Sequence, residues 1–96
     1  MRIAAYVSWK GITPQQYDEV RRLVDWDHNI PEGGVIHMAS FDKSGLRITD
    51  IWESETAFNN FVQNRLLPEV QQMGIKTPPD YEVLKIHNLF TPAFSK

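Results

Sequence analysis

The stretch from Gly34 to Ser54, GVIHMASFDKSGLRITDIWES, holds the residues best suited to chemistry: an imidazole at His37 and a carboxylate at Asp50, both among apolar neighbours. A carboxylate that accepts one imidazole N–H fixes the tautomer and raises the basicity of the other nitrogen, which equips such a histidine to act as a general base. The backbone decides whether the two meet. Two apolar-rich runs, Val35 to Phe41 and Leu46 to Trp52, flank Asp42-Lys43-Ser44-Gly45, a turn tetrad with glycine where a positive φ is needed. In the resulting β-hairpin Phe41 faces Leu46, Ala39 faces Ile48, His37 faces Asp50 and Val35 faces Trp52. Facing residues have Cβ atoms roughly 4.5–5.5 Å apart, within reach of an imidazole–carboxylate hydrogen bond. A single bulge at Gly45 would instead move the pair onto opposite faces. The competing reading is that His37 and Asp50 only satisfy each other as buried polar groups.

Several other side chains are candidates for the same site. Arg65 lies seven residues after Phe58, about 20° from it on a helical wheel, so its stem runs along the apolar face. Its head then either binds a substrate carboxylate or enolate, neutralises Asp50, or reaches back to water. Tyr6 is a candidate acid or hydrogen-bond donor, or a core tyrosine with a satisfied hydroxyl. Trp52, Trp26, Phe58 and Phe61 are candidates for an aromatic wall against a flat substrate, or for plain core. His87 and Asn88 alternate on the last strand, so at most one of them shares a pocket with His37.

The elements that must position these groups follow from the pattern of the chain. Arg2 to Ser8 reads as a first strand, with Trp9 at its edge. Thr13-Pro14-Gln15-Gln16 opens a helix, because Thr13 caps free amides, Pro14 suits the first helical position and Gln16 completes a capping box. Tyr17, Val20, Leu23 and Val24 share its apolar face, and the helix ends near Val24. Asp25 to Gly33, DWDHNIPEG, is a loop whose Trp26 and His28 are large for a connector; it either plugs a core edge or forms a lid. After the hairpin, Ser54 caps a second helix running to Met73, with Phe58, Phe61, Val62, Leu66, Val70 and Met73 inward. Pro68 crowds the carbonyl of Asn64, which predicts a kink or restart between Arg65 and Glu69, and Gly74 stops the helix. GIKTPPD is a stiff connector to a last strand from Tyr81 to Phe90, ended by Thr91-Pro92 and a short tail to Lys96.

Strand, helix, strand, strand, helix, strand is the split βαβ order of an α+β, ferredoxin-like domain. It builds a four-stranded antiparallel sheet of order 4-1-3-2 with both helices on one face. At 96 residues the chain makes one such domain. Val35-Ile36-His37-Met38-Ala39 and Val83-Leu84-Lys85-Ile86 carry apolar side chains on both faces of the sheet, so the uncovered face calls for a second copy and a homodimer. A net charge of −2, with both signs scattered, gives no footprint for nucleic acid or for an anionic membrane. The chain has no cysteine, which removes thiolate catalysis and Cys-zinc sites and suits the cytoplasm. No signal peptide or membrane-spanning run is legible.

The element order, the two-sided strands, the segment His37 to Ala39, the segment Asp50 to Ser54 (DIWES) and the terminal His87 to Phe90 (HNLF) resemble small proteins of the dimeric α/β-barrel superfamily. That group includes antibiotic-biosynthesis monooxygenase-like proteins. The resemblance implies a pocket between the helical layer and the sheet of each subunit. It leaves the reaction open, since the superfamily contains cofactor-independent monooxygenases, haem-degrading enzymes, cyclases and dehydratases. In the resembled haem-degrading enzymes a helical histidine holds the iron, and Glu55 to Met73 contains none. No Gly-rich phosphate loop is present for a flavin or nucleotide. An iron site from His37, Asp50 and His87 would span backbones roughly 10 Å apart, at strand spacings of about 4.8 Å. No cofactor and no metal are therefore expected. Two readings stand: a cofactor-independent enzyme, monooxygenase-like or cyclase-like, with His37 as base, Asp50 orienting it and Arg65 or Tyr6 stabilising charge; or a non-catalytic, small-ligand-binding or accessory dimer.

Overall fold

The computed structural model describes residues 1–94, so Ser95 and Lys96 at the end of the expected tail lie outside the described residues. Strand β1 (Ile3–Lys10) leads into α1 (Pro14–Val24), where the Thr13 side chain accepts from the Gln16 amide and the Gln16 side chain accepts from the Thr13 amide. This capping box and the Pro at the first turn start the helix at the position the sequence dictates. Asp25 closes it in the left-handed conformation, its N–H donating to the Arg21 carbonyl.

β2 (Gly34–Asp42) and β3 (Gly45–Trp52) form the hairpin. The Asp42 carboxylate accepts from the Ser44 and Gly45 amides, at 2.7 and 3.1 Å, and so ties the turn. Gly45 has φ +143, and a Cβ there would collide with the carbonyl of Trp9, so only glycine closes this turn beside β1. The register runs undisturbed from Asp42 opposite Gly45 to His37 opposite Asp50. The bulge lies at the other end, between Gly34 and Ile36, so Trp52 faces Gly34 and not Val35 as the uninterrupted pattern predicts.

The second helix is three pieces: α2 (Glu55–Phe61), a π-helical turn (Val62–Leu66) and α3 (Leu67–Gln72). Pro68 lacks an amide and crowds the turn before it, and the chain responds by widening at Val62–Leu66 and restarting at Leu67, within the predicted interval. Gly74, with φ +75, ends the helix. β4 (Asp80–Lys85) is shorter than the expected Tyr81–Phe90. Its partner is β1, and β1 begins at Ile3 opposite Lys85, so no strand remains for the residues beyond Ile86 to pair with.

The sheet has the order β2-β3-β1-β4, all antiparallel, with the helices on one face: the ferredoxin-like α+β fold. Ile3, Ala5, Val7, Trp52, Phe58 and Val62 make one core beneath α2, and Trp9, Ile12, Leu46 and Val70 a second beneath α3. Trp9 is thus buried core, with its Nε1 donating to the Thr77 carbonyl at 2.7 Å, and not an edge residue. The opposite face carries Tyr6, Met38 and Leu84, all exposed. No helix among the described residues is long and apolar enough to cross a membrane.

Candidate functional site

β2 and β3 carry His37 and Asp50 side by side on the face that the helices cover. His37 Nδ1 and Asp50 Oδ1 are 2.7 Å apart. The second carboxylate oxygen, Oδ2, accepts from Trp52 Nε1 at 3.1 Å. A carboxylate can only accept when it is ionised, so with the imidazole neutral Nδ1 is the donor and Nε2 the acceptor. That nitrogen has a partner too. The hydroxyl of Tyr17, on the inner face of α1, lies 2.6 Å from His37 Nε2 and donates to it. The result is a continuous chain, Trp52 to Asp50 to His37 to Tyr17, running from under the sheet core to the first helix.

Aromatic rings fix this chain in place. The Tyr17 and His37 rings are near parallel, with an interplanar angle of 7° and centroids 6.0 Å apart, and meet end to end through the Tyr17 hydroxyl. Trp26, from the loop after α1, covers the other part of the imidazole at 4.9 Å between centroids. Trp26 also meets Trp52 and Phe61 edge-on, and Trp52 meets Phe58 in the same way. Burial raises the Tyr17 phenol above its ordinary pKa, against the pull of the nearby Arg21 guanidinium, which lowers it. Arg21 in turn is held by Asp27 of the same loop at 2.6 Å, and Asp27 is pulled below the usual carboxylate range by that bond.

Against this chain lies an apolar cavity of about 60 Å³ between the sheet and the helices, with Val7, Val20, Ile48 and Phe61 among its walls and His37, Asp50 and Tyr17 also lining it. A dry cavity of about 150 Å³ is needed for benzene, so a ring-shaped ligand enters only if a wall moves. Trp26 is a wall carried by the loop after α1.

The other sequence candidates divide cleanly. Trp26, Trp52, Phe58 and Phe61 do form one aromatic cluster around the site. Tyr6 does not join it: Ala5 is the residue opposite Asp50, so Tyr6, opposite Thr49, points to the far face and is 42% exposed. Arg65 does not join it either. Its guanidinium donates to the Val24 carbonyl at 2.7 Å and lies over the Phe61 ring, fastening the end of α1 to the second helix. The π-helical turn changes the helical phase on which the sequence expectation rested, which is why Arg65 lands outside. His87 and Asn88 are exposed and lie past the end of β4, so they do not reach the pocket. His28 sits in the open loop against Asp25. Among the described residues, no three His, Asp or Glu side chains converge as metal ligands.

Tyr17 is the residue that sequence reasoning missed. Its position on the apolar face of α1 was legible, but an apolar face gives no sign that the phenol oxygen ends on an imidazole. Arg21, one helical turn further on, was hidden in the same way among the charged residues of that helix.

No family model matches the sequence, and no curated protein matches it in sequence. Solved structures do match it in fold. A protein of unknown function from Nitrosomonas europaea, NE2512, superposes with a TM-score of 0.68 at 15% identity, over 95% of this chain and 94% of that one. SnoaB, a cofactor-independent oxygenase from Streptomyces nogalater, gives a TM-score of 0.60 at 12% identity over 92% and 93%. A protein from Chloroflexus aurantiacus, provisionally described as an antibiotic biosynthesis monooxygenase, gives 0.63 at 11% identity over 95% and 98%. At such identities the likeness is one of architecture: the chain has the fold of the antibiotic biosynthesis monooxygenase-like proteins.

Proposed function

We propose that this protein is a cofactor-independent, monooxygenase-like or cyclase-like enzyme in which the His37–Asp50 pair removes a proton from a small enolisable or aromatic substrate. The observation that carries the reading is the 2.7 Å bond from His37 Nδ1 to a carboxylate whose side chain is only 5% exposed. Asp50 fixes the tautomer and stabilises the imidazolium that forms when the far side of the ring takes up a proton. The neighbouring tryptophans and phenylalanines give a flat anion an apolar wall. Oxygenation or cyclisation of that anion are both consistent with the site, and the likeness to a cofactor-independent oxygenase favours the former. Arg65 and Tyr6 have no part in it, because neither reaches the cavity.

A homodimer in the cytoplasm suits this reading. Met38, Leu84 and Tyr6 leave an apolar patch on the open face of the sheet, which a second copy related by a two-fold axis would cover. The alternative, a non-catalytic binding or accessory dimer, draws on one observation: both nitrogens of His37 and both oxygens of Asp50 already have protein partners.

Deuterium exchange separates the two. With 2,4-pentanedione as an enolisable probe in D2O, the wild type should accelerate loss of the acidic C–H signal. His37→Ala should slow that exchange by about 100-fold or more while keeping the fold and the dimer. A His37→Ala protein as active as the wild type would exclude the His37–Asp50 pair as the base, and a wild type no faster than buffer would exclude the enzyme reading.

A further inference from the structure

We infer that Tyr17, not His37, is the group that meets the substrate: the buried Asp50 and His37 deliver their basicity to the cavity through the Tyr17 oxygen, and Arg21 holds the negative charge there. This rests on the enzyme reading above and names the residue and substrate class within it. Both His37 nitrogens are engaged, Nδ1 with Asp50 and Nε2 with the Tyr17 hydroxyl at 2.6 Å, so the imidazole has no free lone pair to present to a ligand. The Tyr17 oxygen has one. Tyr17 lines the cavity together with Arg21, which follows it by one helical turn and whose own position is set by Asp27.

The step balances without any further reactant. The substrate's X–H bond breaks as an O–H bond forms on Tyr17, and the proton Tyr17 held moves along its hydrogen bond to His37 Nε2. The products are a substrate anion, a neutral Tyr17 and an imidazolium paired with the Asp50 carboxylate. Such a relay works best on a proton whose acidity is near that of a phenol. The substrate class is therefore a phenol, an enol or a 1,3-dicarbonyl compound, and not an unactivated ketone. The charged and titratable groups that face the Tyr17 phenol are Arg21 and Asp18 on its own helix, His37 on β2 and Asp50 on β3. Asp27 reaches it only through Arg21.

Tyr17→Phe keeps the aromatic ring of α1 and removes only the oxygen that meets His37. With 2,4-pentanedione in D2O, its exchange rate should fall by about 100-fold, as for His37→Ala, while the nitrogen shifts of the His37 ring still report the Nδ1–H tautomer. Arg21→Gln should slow exchange and move its pH profile to higher pH, an effect that loss of packing would not produce. If Tyr17→Phe proves unstable, 3-fluorotyrosine at position 17, with its more acidic phenol, should move the profile to lower pH. Exchange by Tyr17→Phe at or above the wild-type rate, with His37→Ala inactive, would overturn this inference and leave His37 as the direct base. A wild type that exchanges no faster than buffer would remove both.

Discussion

The described residues contain two histidine–aspartate pairs, and they have little in common beyond their atoms. His28 and Asp25 stand 3.0 Å apart in the loop after α1, with side chains 85% and 51% exposed. His37 and Asp50 come from two strands, meet at 2.7 Å, and are 16% and 5% exposed. Water solvates the first pair from nearly every side, so neither partner depends on the other for orientation, and such pairs contribute at most about 1 kcal/mol. The second pair is walled by Trp26, Tyr17 and Trp52, and each of its polar atoms has one protein partner that nothing replaces if it is lost. Burial in a ring of aromatics, rather than the identity of the two residues, is what turns the motif into a directed hydrogen-bond chain.

Removing the carboxylates is the hardest test of that contrast. Asp50→Ala strands the His37 Nδ1–H and Trp52 Nε1–H together in an apolar setting, at about 1–3 kcal/mol for each unsatisfied donor. A total loss of about 3 kcal/mol in urea denaturation is expected. Asp25→Asn keeps a residue tolerant of the left-handed conformation and should change stability by no more than about 0.5 kcal/mol. Similar values for the two variants would mean that the cavity is hydrated and the pairs equivalent.

The next largest effect is expected at the loop between the pairs. Trp26→Ala takes away the cover over His37 and two edge-on aromatic contacts, with an expected cost of about 2 kcal/mol. It should also enlarge the cavity enough for benzene, visible as chemical-shift changes at Val7, Ile48 and His37 on titration. His28→Ala, two residues further along the same loop, should alter neither stability nor benzene uptake. If benzene binds wild type and Trp26→Ala alike, then another wall opens and Trp26 is fixed core.

How much of this was legible in the sequence depends on the distance over which each feature is determined. The capping box at Thr13, the hairpin turn at Asp42–Gly45 and the restart after Pro68 are local, and they fall where the residues put them. The pairing of His37 with Asp50 is also local, since it counts outward from one turn. Tyr6 depended on the register between β1 and β3, which are separated by a helix and another strand, and no turn links them directly. Arg65 depended on an unbroken helical period, and the π-helical turn breaks it. The length of β4 depended on where β1 begins. Tyr17 required knowing the height at which α1 crosses β2, a quantity set by packing alone.

Alkaline pH offers a smaller effect that again separates the enclosed from the open part of the molecule. Burial raises the phenols of Tyr17 and Tyr81 above their ordinary value of 10.0. A phenol that ionises later in the folded chain than in the unfolded one adds stability that is complete below the unfolded value and is lost as pH rises through the folded value. Stability should therefore be level from neutral pH to about 10 and fall above it. Tyr17→Phe should flatten the fall, measured as the urea midpoint across that range. An equally steep fall in Tyr17→Phe and in the wild type would assign it entirely to Tyr81.

The smallest effect belongs to Asp42, which is exposed like Asp25, though less so, yet governs the geometry of the buried pair. The Ser44 amide, the Gly45 amide and the Arg47 guanidinium hold its carboxyl below the usual carboxylate range. A depressed pKa contributes stability that is present above the unfolded value of 3.8 and disappears as pH falls through the folded one. The urea midpoints of wild type and Asp42→Asn should differ slightly at about pH 6 and converge near pH 2. Because the turn sets the count by which His37 comes to face Asp50, Asp42→Asn should also loosen the Nδ1–H tautomer of His37, detectable in its ring nitrogen shifts. If those shifts stay fixed while the midpoint drops, the register is held by the aromatic cluster rather than by the turn, and the exposed carboxylate stabilises only its own loop.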